Sequence, residues 1–156
     1  MSLKNIFTKQ PGVKSIPLID MQQLIEDIKG DEGTVLHCYK DSLGFDTIGT
    51  GILIDARGGG ITMAENEMLL ENRLHITITG LDDKIPWLMT KSDNIQRQLV
   101  NMAYELGVDG LLKFPKMLEL IRVGNYNAAA DEGLNSDWAK EVPNRSKRVT
   151  DNIRKG

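Results

Sequence analysis

The sequence has very little of what marks a specialised class. It holds one cysteine, Cys38, so no disulfide can close within the chain and a disulfide-built scaffold is excluded. Its two histidines, His37 and His75, show no metal-ligand spacing with that cysteine. A closed zinc site needs about four ligands, so no metal and no other cofactor is expected. No stretch approaches the roughly 18 apolar residues of a membrane span. Near the N-terminus Lys4, Lys9, Gln10, Pro11 and Lys14 break every apolar run, whereas a secretory leader needs about 7–15 apolar residues in succession. The chain therefore reads as made and held in a cytoplasm, without membrane insertion. Neither sign of charge prevails: 19 basic and 22 acidic residues give a net charge of -3, and aromatics are only 5% of the chain. A basic face interleaved with aromatics for nucleic acid is not expected. A Gly-x-Ser-x-Gly elbow is missing, and Gly58–Gly60 lacks the Lys-Ser/Thr of a phosphate loop.

What is present is a chain of ordinary globular composition. Its 156 residues, 40% hydrophobic and 26% charged, suffice for one domain or two small lobes. Residues 1–19 read as an N-terminal extension and 20–156 as the domain. Asp20 and Gln23 form a capping box, followed by an apolar face of Met21, Leu24, Ile25 and Ile28. Either Gly30 or Gly33 can end that helix, which decides whether Glu32 sits in its last turn or in the loop. Three short strand candidates follow, Thr34–Tyr39, Phe45–Ile48 and Ile52–Ile54, punctuated by Gly44, Gly49 and Gly51.

Thr62 with Glu65 opens a long helix through about Ile78, and Asp93 with Gln96 reads as another capping box. Ile95, Leu99, Met102, Ala103 and Leu106 mark the helix after it, closed by Gly107. Shorter helices are expected around Met117–Ile121, Tyr126–Asp131 and Asn144–Arg154. The order implies an α+β fold: a small three-stranded antiparallel sheet lobe over about 31–62, joined by a long helix to a helical lobe over about 63–156, which takes the first helix as well.

With histidine and cysteine chemistry poorly supported, carboxylates remain. Glu32 lies at the junction of first helix and sheet, Asp41 after the first strand, and Thr47 in the second. A helix end and an adjacent hairpin can face each other across a cleft. Two carboxyls there can hold different protonation states and divide acid and base roles, as glycoside hydrolysis requires.

Asp31-Glu32-Gly33, Tyr39-Lys40-Asp41-Ser42 and Gly44-Phe45-Asp46-Thr47-Ile48-Gly49-Thr50-Gly51 closely resemble the catalytic lobe of the phage-type lysozyme (endolysin) family. Eight residues separate Glu32 from Asp41 and five separate Asp41 from Thr47, the spacing of that family. Asn101-Met102-Ala103-Tyr104-Glu105-Leu106-Gly107 is similar to its central helix. Trp138 and Pro143-Asn144-Arg145-Ser146-Lys147-Arg148-Val149 are similar to its C-terminal signature.

The resemblance implies hydrolysis of the β-1,4 bond between N-acetylmuramic acid and N-acetylglucosamine in peptidoglycan, with inversion. Glu32 matches the general acid. Asp41 matches the carboxylate that supports the attacking water and the developing positive sugar. Thr47 matches the hydroxyl that places that water. Leu53 and Tyr104 match substrate-lining positions, and Arg145 matches the supporting partner of the acid. The resemblance further implies a monomer without cofactor. Such an enzyme is made in the host cytoplasm and reaches the periplasmic wall through a holin-type membrane protein, for lysis and phage release.

Several positions depart from the family pattern. Ile52 stands where a histidine is common, and Arg73 stands near the place of that histidine's acidic partner. Met117 replaces a small hydroxyl residue and Glu132 an amide. The alternatives are a catalytically silent peptidoglycan-binding module and a lytic transglycosylase on the same bond. The conjunction of Glu32, Asp41 and Thr47 speaks against the first, and Asp41 against the second.

Overall fold

A computed structural model describes residues 20–56 and 59–156. The expected N-terminal extension over 1–19 lies outside the described residues, as does Gly58 of the expected glycine loop. The chain divides into two compact units, one up to Thr62 and one from Met63 onward.

The first unit opens with α1, Met21–Glu32. Asp20 caps it, its carboxylate accepting from the amides of Gln22 and Gln23 at 3.1 Å each. Gly33 ends it at φ +70°, its amide bonded to the Lys29 carbonyl. Of the two possible stops the second is therefore used, and Glu32 belongs to the last helical turn.

Three strands follow, β1 Val35–Lys40, β2 Asp46–Gly49 and β3 Ile52–Leu53, in an antiparallel sheet ordered β1-β2-β3. Tyr39 pairs with Thr47, and Thr47 with Leu53, so these three side chains share one face. The register between β1 and β2 shifts between Val35 and Tyr39. Across β1 and β2 the partners Lys40 and Asp46 form an ion pair at 2.8 Å, and hydrogen bonding from Lys40 holds the Asp46 carboxyl below its usual range.

The second unit is helical: α2 Met63–Lys84, a 3-10 turn Pro86–Thr90, α3 Asp93–Leu106, α4 Val108–Leu111, α5 Pro115–Arg122, α6 Tyr126–Leu134, α7 Asp137–Glu141 and α8 Pro143–Ile153. Its core takes Leu81 from α2, Ile95, Leu99 and Met102 from α3, Ile121 from α5, and Val149 and Ile153 from α8. Trp138 of α7 is buried and meets Phe114 edge-on, with ring centroids 6.3 Å apart.

Two sequence expectations need correction here. The long helix runs to Lys84 and not to about Ile78, passing through Gly80. A β-carbon at Gly80 would come 3.1 Å from the Val108 side chain, so this glycine permits close packing of α4. The cap of α3 is Ser92, whose hydroxyl accepts from the Ile95 amide, with Asp93 already inside the helix. Gln96 turns instead to the carbonyls of Lys91 and Met89.

Candidate active site

The groups able to do chemistry in the first unit stand on three different pieces of backbone. Glu32 ends α1, with its side chain over the β2–β3 turn. A β-carbon at Gly51 would lie 2.9 Å from Glu32 Oε2, so only glycine leaves the carboxylate where it is. Gly51 also has φ +67°, a backbone that suits glycine independently. The acid is thus framed by the Gly33 stop on its own helix and by the bare backbone of a neighbouring turn.

Asp41 opens the β1–β2 connection. Its Oδ1 accepts from the Leu43 amide at 2.9 Å and from the Phe45 amide at 2.8 Å, while its own amide bonds to the Phe45 carbonyl. The tight loop orients the carboxylate through one oxygen. Among the described residues Oδ2 has no hydrogen bond.

Thr47 is 3% exposed, and its hydroxyl donates to the Phe45 carbonyl at 3.3 Å. A hydroxyl whose proton is engaged on a carbonyl can still accept from another donor. Leu53 stands beside Thr47 on the same sheet face.

In the second unit Tyr104 is 44% exposed on α3. Arg145 of α8 lies on the α3 turn that carries it. Its Nε donates to Asn101 Oδ1 at 3.0 Å, its Nη2 to the Asn101 carbonyl at 2.9 Å, and its Nε is 3.2 Å from Glu105 Oε2. The Trp138 indole donates to the same Glu105 oxygen at 3.2 Å.

The phage lysozyme family model matches residues 29–152, which takes in every one of these groups. The chain belongs to the phage lysozyme family. A protein named probable T4-type lysozyme 1 of Dictyostelium discoideum is 33% identical over 83% of this chain and 92% of its own length. Probable T4-type lysozyme 2 of the same organism is 29% identical over the same shares. The pre-baseplate central spike protein Gp5 of Enterobacteria phage T4 is 30% identical over 81% of this chain and 27% of that protein. As a member of the phage lysozyme family the chain is a glycoside hydrolase of the lysozyme kind, acting on peptidoglycan.

The positions expected to depart from the family pattern lie in different settings. Met117 is buried in the second unit's core, with its sulfur at the Gly133 backbone, where a β-carbon would approach it to 3.3 Å. Glu132 is ion-paired with Lys116 across α5 and α6. Ile52 is 42% exposed on β3. His37 lies exposed on β1, and His75 lies exposed on α2, 3.7 Å from Glu71. Among the described residues no cluster of His, Cys, Asp and Glu could hold a metal, and no helix is long and apolar enough to cross a membrane.

Two residues were given no role of their own from sequence. Gly51 read as punctuation between strands and as the end of a motif block, since spacing does not reveal what approaches a glycine. Glu105 was quoted within the α3 block without a role. Its signal is the alternation of Asn101 and Glu105 one helical turn apart, opposite an arginine 40 positions on.

Proposed function

We propose that this enzyme cleaves the β-1,4 bond between N-acetylmuramic acid and N-acetylglucosamine by acid/base catalysis with inversion. Glu32 protonates the leaving glycosidic oxygen. Asp41 and Thr47 hold the attacking water, and Asp41 stabilises the positive charge that develops on the sugar. Leu53 and Tyr104 line the substrate, and Arg145 supports the acid.

The observation that carries this reading is the complementary hydrogen bonding of Asp41 and Thr47. Asp41 keeps one oxygen for accepting, and Thr47 has its proton engaged on a backbone carbonyl. Such a pair is suited to a water, which needs one acceptor for the proton it loses and one for the proton it keeps.

Residues 20–156 are the lysozyme domain in this reading, and the enzyme works as a monomer without cofactor. It is made in a host cytoplasm and meets peptidoglycan in the periplasm once a holin-type protein has opened the membrane, releasing phage. That route carries over from the family resemblance.

Digestion of purified peptidoglycan followed by mass spectrometry tests the chemistry. Hydrolysis yields muropeptides with free reducing ends. Products lighter by one water, with 1,6-anhydro ends, would make the enzyme a lytic transglycosylase. Binding without product would make it a silent wall-binding module.

A further inference from the structure

We propose that Glu105 is a positioning residue that sets the Arg145 guanidinium through a single carboxylate oxygen. The proposal rests on the supporting role given to Arg145 above.

Glu105 lies in the last turn of α3, next to Tyr104. Its Oε2 accepts from the Trp138 indole N–H at 3.2 Å and forms an ion pair with Arg145, 3.2 Å from Nε. One of those partners is immobile. Trp138 is 4% exposed and held edge-on against Phe114, so its N–H direction is fixed by packing. The ring fixes the oxygen, and the oxygen fixes the arginine.

Asn101 completes the grip one turn earlier, taking Nε on its side-chain oxygen and Nη2 on its carbonyl. A long arginine side chain from α8 is thereby registered on two successive turns of α3. Among the described residues Nη1 has no hydrogen bond and remains available to a further acceptor. The Glu105 and Arg145 side chains are 24% and 30% exposed. The other arginine and lysine pairs of α7 and α8, Lys140 with Asp137 and Lys147 with Asp151, are exposed and lie within one helix. Those pairs have nothing to position.

The shared oxygen gives a clean test. Glu105→Gln can keep one oxygen facing both donors while losing the charge. Glu105→Met keeps the length and loses the acceptor. Each is made alone and with Arg145→Ala, and kcat, KM and melting temperature are measured on soluble peptidoglycan fragments. We expect E105M to lower kcat about tenfold with little change in KM, the loss that misorientation of a supporting group produces. E105Q should recover kcat to within about threefold of native. In the R145A background E105M should leave kcat where R145A put it, yet still lower the melting temperature, because Trp138 has lost its acceptor.

Equal losses in E105M and E105Q would overturn the proposal, since charge and not orientation would then be what matters. So would a further fall in kcat when E105M is added to R145A. Native kcat in E105M with impaired R145A overturns the Glu105 assignment alone. Native kcat in R145A overturns the role of Arg145 itself, and this proposal with it. Should E105M fail to fold, E105A is read by the same criteria.

Discussion

Gly51 lies against the Glu32 carboxylate so closely that a β-carbon there would come 2.9 Å from Oε2 and 3.2 Å from Cδ. Gly49, on the other side of the same turn, has the same φ of +67°, but a β-carbon there meets nothing nearer than Ile52 Cδ1 at 3.4 Å. The two glycines separate backbone strain from displacement of the acid. We expect Gly49→Ala and Gly51→Ala each to cost about 1–2 kcal/mol of stability for a left-handed residue. Only Gly51→Ala must also move Glu32, and it should lose about tenfold or more in activity relative to Gly49→Ala. Lysis rates at a temperature where both variants are folded check this. Equal rates would mean that the acid works without this contact.

Glu32→Gln should leave the fold intact and abolish lysis. The amide is nearly isosteric but has no proton to give to the leaving oxygen. General acid catalysis contributes about 10²–10⁴-fold. A folded variant that clears cells at more than about a tenth of the native rate would remove Glu32 from the role of acid.

Asp41→Asn separates loop building from chemistry. An asparagine retains an oxygen for the Leu43 and Phe45 amides, which Asp41 now holds through Oδ1. Its stability should stay within about 1 kcal/mol of native, whereas Asp41→Ala strands two amides and should cost about 1–3 kcal/mol. Both variants should lose activity by about 10²-fold or more, because each lacks the second carboxylate oxygen. Thermal melts and initial rates for the pair distinguish the two functions. Native-like turnover in Asp41→Asn would assign this residue to the loop alone.

The strands and the family were legible in the sequence because both rest on local signals. Gly44, Gly49 and Gly51 punctuate the sheet, and Asp20 announces α1 with its own side chain. The spacing of Glu32, Asp41 and Thr47, with the Pro143–Arg148 block in order downstream, sufficed for the family. What escaped depends on partners distant in sequence. The last turns of the long helix, beyond Ile78, pass through Gly80, which lies against Val108. The helices Val108–Leu111 and Asp137–Glu141 are too short to show a period. Ser92 and Asp93 are both good caps, and neighbouring contacts decided between them. Glu105 acquires meaning only when Trp138 and Arg145 converge on one of its oxygens.

Arg145→Ala should destabilise the enzyme more than Lys147→Ala. Arg145 joins α8 to α3 through two hydrogen bonds to Asn101 and an ion pair with Glu105, and is partly buried. Hydrogen bonds to a charged group contribute about 1.5–3 kcal/mol in such a setting. Lys147 pairs with Asp151 on the exposed face of its own helix, where pairs contribute about 0–1 kcal/mol. Denaturant unfolding of the two variants in parallel gives the comparison, and equal midpoints would show that the α3–α8 network adds nothing.

The reaction should invert the anomeric centre. Glu32 ends a helix, while Asp41 and Thr47 belong to the sheet and its first loop, so the acid and the water-holding pair come from separate elements. A carboxylate that works with a buried threonine hydroxyl is equipped to orient water, whereas a nucleophile attacking carbon needs no such companion. Inverting pairs stand about 6.5–9.5 Å apart to admit that water, and retaining pairs about 5–5.5 Å. From a β-linked substrate the first product should be the α-anomer. Proton NMR of the reducing-end signal within minutes of mixing resolves it before mutarotation mixes the anomers. An initial β-anomer, or a glycosyl-enzyme trapped on Asp41, would make Asp41 the nucleophile and leave Thr47 without the role proposed for it.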